Sequence, residues 1–197
     1  MLAVIDSETS IYNKGNVYDP RNQLCLLVIK AISNDSTTSF VFRKPWDVGR
    51  IHEILNSSRT LVFFNGKFDL SWIRREFNWQ PSVGQRIHDC QYAEFLFSKQ
   101  TWKFPDLRTA CLQRGLDPKQ DYISETYWDK GIDTTEIPEE ELEESCLFVG
   151  FTTVVGGIVV DVVGGTVVGE IVGTVVGEIV VGVIVDDAIV VIENTHR

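Results

Sequence analysis

The sequence lacks the motifs that would assign a metal-binding or redox class at once. Its four cysteines, Cys25, Cys90, Cys111 and Cys146, form no CxxC pair, and its three histidines have no metal-ligand spacing. The residues after Met1 do not have the pattern of a signal peptide, and we expect none. We therefore expect reduced thiols and a cytoplasmic location.

Long apolar runs and basic stripes are also missing. Residues 145–160 are uncharged but number only 16, and acidic residues recur after them, so no apolar span of about 20 residues exists. We therefore expect no membrane association. The net charge is −10 at pH 7, and bulk electrostatics do not indicate a nucleic-acid-binding protein. A protein that holds the end of a nucleic-acid strand through metal ions needs no basic stripe.

Two different compositions share the chain. Residues 1–145 contain 17 of the 18 Lys and Arg and all of the Trp and Tyr, whereas residues 146–197 contain one Arg and consist mostly of Val, Gly and Ile. We predict a globular domain over 1–145 and a low-complexity Val/Gly-rich tail over 146–197.

Residues 1–145 alternate between strand-like and helix-like patterns. β-Branched and apolar runs predict strands, and apolar residues spaced three or four apart predict helices. The predicted strands cover 2–6, 23–32, 38–44 and 60–65, and the predicted helices cover 46–57, 68–78, 86–97 and 106–115. This order predicts a mixed α/β fold built on one central sheet.

Three acidic residues follow predicted strands. Asp6 and Glu8 end the first strand and project to the same side, because side chains alternate along a strand. Asp69 follows the fourth strand, which would bring it close if the two strands are neighbours. Convergent carboxylates favour Mg²⁺ or Mn²⁺, the ions of two-metal phosphoryl transfer. The spacing alone fits a solvated strand end equally well, because D-x-E is a weak signal.

Several motifs in one order carry a family resemblance. The segments are VIDSET, NKGNVYDPRNQL, LVFFNGKFDLSWIRR, IHDCQYAEFL and YWDKGIDTTEIPEEELEE. Together they resemble the 3′-to-5′ proofreading exonuclease domain of bacteriophage-type DNA polymerases, in the DnaQ-like branch of the ribonuclease H-like superfamily. The resemblance covers residues 1–145. It implies a ribonuclease H-like mixed sheet flanked by helices, two Mg²⁺ or Mn²⁺ ions, the 3′ end of single-stranded DNA as substrate, and a polymerase domain or chain as partner.

The resemblance also implies residue roles. Asp6 matches the motif I aspartate that bridges both metals, and Glu8 matches the motif I glutamate on the metal that binds the attacking water. Asp69 matches the motif II aspartate, which holds the second metal through its water shell. Asn65 occupies the motif II position that helps to orient the strand end. Phe68 precedes the motif II acid, and for this ring core packing is favoured over stacking on the substrate.

Other residues receive structural interpretations. His88 and Asp89 match a recurring pair of the family, and we expect them to begin the next helix, with Asp89 as its N-cap. Four tryptophans are expected to pack in the core or on the surface rather than to stack on bases: Trp72, Trp79, Trp102 and Trp128.

The family pattern fails at motif III. There the family has a tyrosine that positions the attacking water and, four residues later, an aspartate that completes a metal site. The corresponding positions are Ser145 and Val149, and Cys146 fits the same register. Asp161 is too distant to be a good substitute. The loss predicts an impaired exonuclease or, alternatively, an inactive nucleic-acid-binding or structural remnant of one.

The tail contains a perfect repeat. GTVVGEIV occupies 165–172 and again 173–180, and its even period would place Glu170, Glu178 and Asp186 on one face of an extended segment. Glycine at this density opposes a long helix, so we predict strands with a tendency to aggregate.

The last 15 residues carry a second, much shorter resemblance. VIVDDAIVVIENTHR, at 183–197, is similar to part of a transmembrane helix of resistance-nodulation-division efflux pumps. None of the other helices of that fold is present, so no transport function is assigned to Asp186 and Asp187. Two family fragments joined by a repeat suggest a spliced, frame-shifted or artificial chain, which sequencing of the source DNA across residues 140–185 would test.

Overall fold

A five-stranded mixed sheet forms the centre of the protein. The computed structural model describes residues 1–33, 36–100, 103–113, 122–147, 153–155, 158–163 and 166–171. The strands of this sheet are β1 (Leu2–Thr9), β2 (Leu24–Ile32), β3 (Thr37–Phe42), β4 (Thr60–Phe63) and β5 (Arg86–Asp89). Their order across the sheet is β3-β2-β1-β4-β5.

The sheet changes sense at β1. β1 pairs antiparallel with β2, and β2 with β3, whereas β1 and β4, and β4 and β5, pair parallel. The register places Asp6 opposite Val28 and Glu8 opposite Leu26. β1 is therefore the central strand, and its carboxyl end lies at the same edge as the carboxyl ends of β4 and β5.

Helices connect and cover the strands. They are α1 (Val48–Ser57), α2 (Gly66–Phe77), α3 (Cys90–Phe97), α4 (Leu107–Gln113), α5 (Tyr122–Thr126) and α6 (Glu139–Leu147). Three short 3₁₀ turns occupy Tyr12–Gly15, Trp128–Lys130 and Thr134–Glu136. None of the helices within the described ranges has the length and apolarity needed to cross a membrane.

The two faces of the sheet have separate apolar cores. α1 and α2 cover one face, where Trp72 and Ile73 of α2 pack against Ile5 of β1 in a cluster of 16 buried residues. On the other face, Leu26 and Val28 of β2 pack against three buried residues of the α5–α6 region, which are Ile123, Ile137 and Leu142. Val4, Val62 and Cys90 form a third cluster beneath α3.

The predicted mixed α/β fold with one central sheet flanked by helices is confirmed. The prediction of one helix over 86–97 is wrong for its first four residues, which form β5. β5 pairs parallel with β4, and this tertiary pairing decides the conformation of a short segment that periodicity alone cannot assign. The predicted packing is confirmed for Trp72 and Trp79, which are buried, and for Trp128, which packs against a core cluster, whereas Trp102 lies outside the described residues.

Part of the tail forms a second sheet. β6 (Thr153–Val155), β7 (Ile158–Val163) and β8 (Thr166–Ile171) pair antiparallel in that order. The strand prediction for the tail is therefore confirmed over these segments. β8 lies in the first copy of the repeat, whereas the second copy and the segment 183–197 lie outside the described residues.

Candidate functional site

Two of the predicted site acids lie on one face at the end of β1. Asp6 and Glu8 are both half-buried, and their antiparallel partners Val28 and Leu26 belong to the cluster under α5 and α6. Paired residues of antiparallel strands project to the same side of a sheet. Asp6 and Glu8 therefore lie on the face that α5 and α6 cover, which is the arrangement that the alternation of side chains predicts.

The third acid approaches the same strand from the opposite face. Asp69 lies in the first turn of α2, and the residue is only 3% exposed. Its carboxylate oxygen Oδ1 accepts a hydrogen bond of 2.6 Å from the hydroxyl of Ser7. Ser7 stands between Asp6 and Glu8 in sequence and projects to the α2 side of the sheet. β1 therefore lies between Asp69 on one face of the sheet and Asp6 and Glu8 on the other, and Asp69 contacts this strand through Ser7.

The charges of the three acids influence one another. Burial raises the pKa of Asp69 well above its ordinary value, and the negative charges of Asp6 and Glu8 raise it further. The hydrogen bond from Ser7 acts in the opposite direction, because it stabilises the carboxylate. A buried acid close to two other acids is an electrostatically costly arrangement, which a nearby cation would relieve.

The donor chemistry of these acids fits a hard divalent cation. Carboxylate oxygens are the ligands that Mg²⁺ and Mn²⁺ prefer, and the pKa of Asp69 is raised first by burial and then by the charges of Asp6 and Glu8. Within the described ranges, however, no three His, Cys, Asp or Glu side chains are placed so that together they could hold one ion. The acids thus share a strand end without forming a ready-made three-ligand cage.

A fourth acid fixes the start of the helix that carries Asp69. Asp89, at the end of β5, accepts hydrogen bonds from the backbone N–H groups of Asn65 at 3.2 Å and Gly66 at 2.8 Å. It also accepts from Gln91 N at 3.0 Å and Tyr92 N at 3.2 Å, which confirms its predicted N-cap role. One carboxylate therefore joins the N-termini of α2 and α3.

Asn65 and Gly66 make a tight turn between β4 and α2. Asn65 is exposed and has a left-handed backbone, with φ of 66°. A Cβ atom at Gly66 would lie 2.9 Å from the Cβ of Phe63, so a larger residue would force this turn apart. The exposed Asn65 side chain makes no capping hydrogen bond to α2, and it stands at the same helix end as Asp69.

Phe68 is half-buried and packs against the main core. Its ring also lies close to Gly15 of the first 3₁₀ turn, where a Cβ atom would come within 3.1 Å of the ring. Trp72, one turn further along α2, donates from Nε1 to the Gly15 carbonyl at 3.0 Å. The segment after β1 is therefore seated on α2, and a packing role for Phe68 agrees with this position.

A second turn ties the end of β1 to the chain before α6. The Thr134 hydroxyl donates to the Thr9 carbonyl at 2.7 Å, and the Ile11 N–H donates to Asp133 at 3.0 Å. Asp133 is almost fully buried, which by itself would raise its pKa, but hydrogen bonds from Ile11 and Thr135 lower the pKa below its ordinary value. The sequence analysis missed this contact, although D-T-T-E has the form of a capping box, which the 3₁₀ turn adopts.

His88 also differs from its expected position. It lies in β5 rather than at the start of a helix, and burial lowers its pKa. Its register partner on β4 is Val62, which belongs to the cluster beneath α3. His88 is thus part of the sheet.

The motif III region is described only in part. α6 contains Ser145, which is half-buried, whereas Val149 lies outside the described residues. Asp161, the considered substitute, lies in β7 opposite Val168, and its side chain is outside the described part of the structure. Glu141 of α6 accepts hydrogen bonds from the hydroxyls of Tyr122 and Tyr127 at 2.9 Å and 2.8 Å, which fasten α6 to α5.

Neither the models of known protein families nor the curated proteins give a match to the chain.

Proposed function

We propose that this chain is a metal-dependent 3′-to-5′ exonuclease domain that removes nucleotides from single-stranded DNA ends and is weakened at motif III. The observation that carries the proposal is the buried Asp69, whose pKa is raised by burial and by the nearby charges of Asp6 and Glu8. Their carboxylate oxygens are ligands suited to a hard divalent cation, which would offset the charge of these acids. The sequence motifs supply the reaction class.

The topology supports the finer fold assignment within this proposal. A mixed sheet of order β3-β2-β1-β4-β5, antiparallel on one side of β1 and parallel on the other, is compatible with a ribonuclease H-like fold. In this arrangement the acids lie at the carboxyl end of the central strand, where the adjacent parallel strand also ends. Binding sites of α/β sheets commonly lie at such strand ends.

Each residue has a role in the proposed site. Asp6, Glu8 and Asp69 would hold two Mg²⁺ or Mn²⁺ ions, which would supply activation of water and stabilisation of the negative charge on the phosphate. Ser7 orients Asp69 through its hydrogen bond. Asn65, exposed at the start of α2, contacts the 3′ end of the DNA strand. Phe68 supports the turn from the core side.

The proposal includes a cellular setting. A cytoplasmic location agrees with the free thiols of Cys25, Cys90 and Cys111, because cytosolic proteins keep their cysteines reduced. A polymerase domain or a separate polymerase chain is the partner that the sequence resemblance suggests.

A second function is favoured by one position. Ser145 of α6 stands where the family has the tyrosine that steers water. A chain without this group could keep the fold and bind nucleic acid without hydrolysing it. The number of bound ions separates the two functions: a working site binds two Mn²⁺ per chain by titration calorimetry, whereas an inactive remnant binds at most one.

Degradation of a 5′-labelled single-stranded oligonucleotide in Mn²⁺ tests the proposed activity. We expect laddering from the 3′ end with the unchanged chain and its loss in Asp6→Ala, because a metal-bridging carboxylate is removed. Glu53→Gln is the matched control, since Glu53 is an exposed acid on α1 that forms an ion pair with its neighbour Arg50. Equal activity of the unchanged chain and Asp6→Ala would refute the assignment of the site.

Restoration of motif III provides a second test. Ser145→Tyr combined with Val149→Asp should raise the rate by about 100-fold or more, the scale on which one electrostatic group at a reacting centre acts. Ser145→Phe with Val149→Asn is the control, because it adds similar volume without the hydroxyl and the charge. A gain in the control equal to that of the restored pair would exclude the motif III explanation.

A further inference from the structure

Three aromatic rings form a cluster on the surface of α3. Phe95 and Phe104 are stacked, with ring centroids 4.3 Å apart and an angle of 13° between the ring planes. Tyr92 meets Phe104 edge to face at 5.2 Å and Phe95 at 6.3 Å. We call Tyr92, Phe95 and Phe104 the aromatic cluster.

The aromatic cluster is exposed rather than part of a core. Tyr92 is 56% exposed and Phe104 is 46% exposed, whereas Phe95 is half-buried beneath them. Gln91 donates from Nε2 to the Pro105 carbonyl at 2.8 Å, which fixes the segment that carries Phe104 against α3. The rings are therefore held in place while their outer surfaces face solvent, an arrangement typical of binding surfaces.

The segment that runs from Phe95 to Phe104 is basic, although the protein as a whole is acidic. Residues 95–104, FLFSKQTWKF, contain four aromatic residues and two lysines but no acid, in a chain with a net charge of −10. Lys103 directly precedes Phe104, and Lys99 follows the end of α3. Both lysines are exposed. Exposed aromatic rings accompanied by lysines are suited to a polyanion with flat faces rather than to an apolar protein surface.

The aromatic cluster is connected to the candidate site through one residue. Tyr92 lies in the first turn of α3, and its backbone N–H donates to Asp89 at 3.2 Å. Asp89 also accepts from Gly66 at the start of α2, and Asp69 lies in the first turn of that helix. Tyr92 of the cluster and Asp69 of the candidate site thus lie in the first turns of two helices whose N-termini the Asp89 carboxylate joins.

We propose that the aromatic cluster is a stacking surface for the bases of single-stranded DNA, with Lys99 and Lys103 contacting the phosphates. The proposal rests on the proposed action on single strands, whose ends it would guide toward Asp6, Glu8 and Asp69. Every base has a flat π-face, so such a surface binds single strands with little preference for sequence. It discriminates against duplex DNA, in which the base faces are covered.

Fluorescence anisotropy with a fluorescein-labelled oligothymidylate in EDTA measures this binding without hydrolysis. We expect Tyr92→Ala and Phe104→Ala each to weaken binding by about fivefold or more, the lower range for one lost base–aromatic contact. Tyr92→Phe should bind as the unchanged chain does, because stacking needs the ring and not the hydroxyl. Tyr18→Ala is the matched control, since Tyr18 is 90% exposed on a different segment.

Each result has a defined meaning. Unchanged binding in both alanine variants, equal affinity for duplex DNA, or no binding by the unchanged chain overturns the proposal. Self-association that Tyr92→Ala abolishes, without DNA binding, would instead assign the cluster to a protein interface. Circular dichroism melting identifies a variant that has unfolded. If Tyr92→Ala has unfolded, the binding of Tyr92→Trp, which retains a ring at this position, is compared with that of Phe104→Ala.

The same measurement separates this proposal from the proposed activity. Asp6→Ala should keep full affinity for the oligothymidylate in EDTA, because Asp6 lies at the acid site and not in the aromatic cluster. Binding that is lost in Tyr92→Ala, in a chain that shows no laddering, would support the stacking surface and reject hydrolysis. Laddering by the unchanged chain, together with unchanged binding by Tyr92→Ala, would support hydrolysis and reject the stacking surface.

Discussion

Among the described residues, the face of the sheet covered by α1 and α2 has 16 buried residues in one apolar cluster, whereas the face that carries Asp6 and Glu8 has two clusters of five and three. The first face includes the large rings of Trp72 and Phe63, both almost fully buried. Because the free energy gained on folding scales with buried apolar area, we infer that most of it is gained on the α1–α2 face. The opposite face can therefore carry half-buried carboxylates at a strand end.

Trp72→Ala is expected to have the largest effect on the free energy of unfolding. Trp72 is fully buried on the α1–α2 face, and its indole N–H donates to the Gly15 carbonyl at 3.0 Å. Removal of the ring leaves a cavity and an unpaired carbonyl, so we expect the free energy of unfolding to fall by about 4 kcal/mol. Urea denaturation measures it. Trp72→Phe, which keeps most of the volume, should lose less than half of that, and equal losses would contradict the cavity explanation.

Leu142→Ala tests the opposite face. Leu142 of α6 is 5% exposed and packs in the cluster of five buried residues with Leu26 and Val28. A small cluster near the surface relaxes more readily around a lost side chain, so we expect a loss of about 2 kcal/mol, at the lower end for such substitutions. The same urea titration applies. A loss as large as that of Trp72→Ala would show that the two faces contribute equally.

The difference between the faces also explains what the sequence could predict. β1 to β4, α1 and α2 have strong apolar patterns because they contribute to the larger core, and their types were predicted correctly. β5 was predicted as helix, because an edge strand of four residues depends on its pairing with β4 and has little pattern of its own. Local signals suffice where burial is extensive and fail where pairing decides.

The candidate site shows a similar limit. The alternation of side chains correctly places Asp6 and Glu8 on one face, because it depends only on the geometry of β1. The hydrogen bonds from Ser7 to Asp69 and from Ile11 to Asp133 join residues 62 and 122 positions apart, and no local pattern contains them. The roles given to Asn65 and Phe68 stay predictions.

Asp133→Asn tests how the contribution of a buried carboxylate to stability depends on pH. Hydrogen bonds from Ile11 and Thr135 hold the pKa of Asp133 below its unfolded value, so its contribution is present above that value and lost as the pH falls through the folded-state pKa. The variant should lose about 1 kcal/mol of unfolding free energy at pH 7, and this difference should shrink toward acid pH. Urea titrations over a pH series measure it, and a loss that is constant with pH would contradict the role of the charge.

Asp69→Asn should have the smallest effect and the opposite sign. Burial, Asp6 and Glu8 raise the pKa of Asp69, so the stability of the unchanged chain is greatest below the unfolded-state pKa and falls as the pH rises through the folded-state pKa. The amide keeps an oxygen that can accept from Ser7 but carries no charge. In EDTA at pH 7 we therefore expect a gain of up to about 1 kcal/mol in unfolding free energy, as is common when a functional site is relieved of repulsion.

Ser7→Ala is the matched control for this last prediction, since it removes the hydrogen bond at 2.6 Å while keeping the buried charge. It should destabilise the chain, because the carboxylate of Asp69 then loses a hydrogen bond that partly offsets its burial. A gain in Asp69→Asn together with a loss in Ser7→Ala would locate the strain in the charge of Asp69. Destabilisation by both substitutions would mean that the carboxylate is already neutralised in the metal-free protein, and the acids of β1 and α2 would then not need a cation.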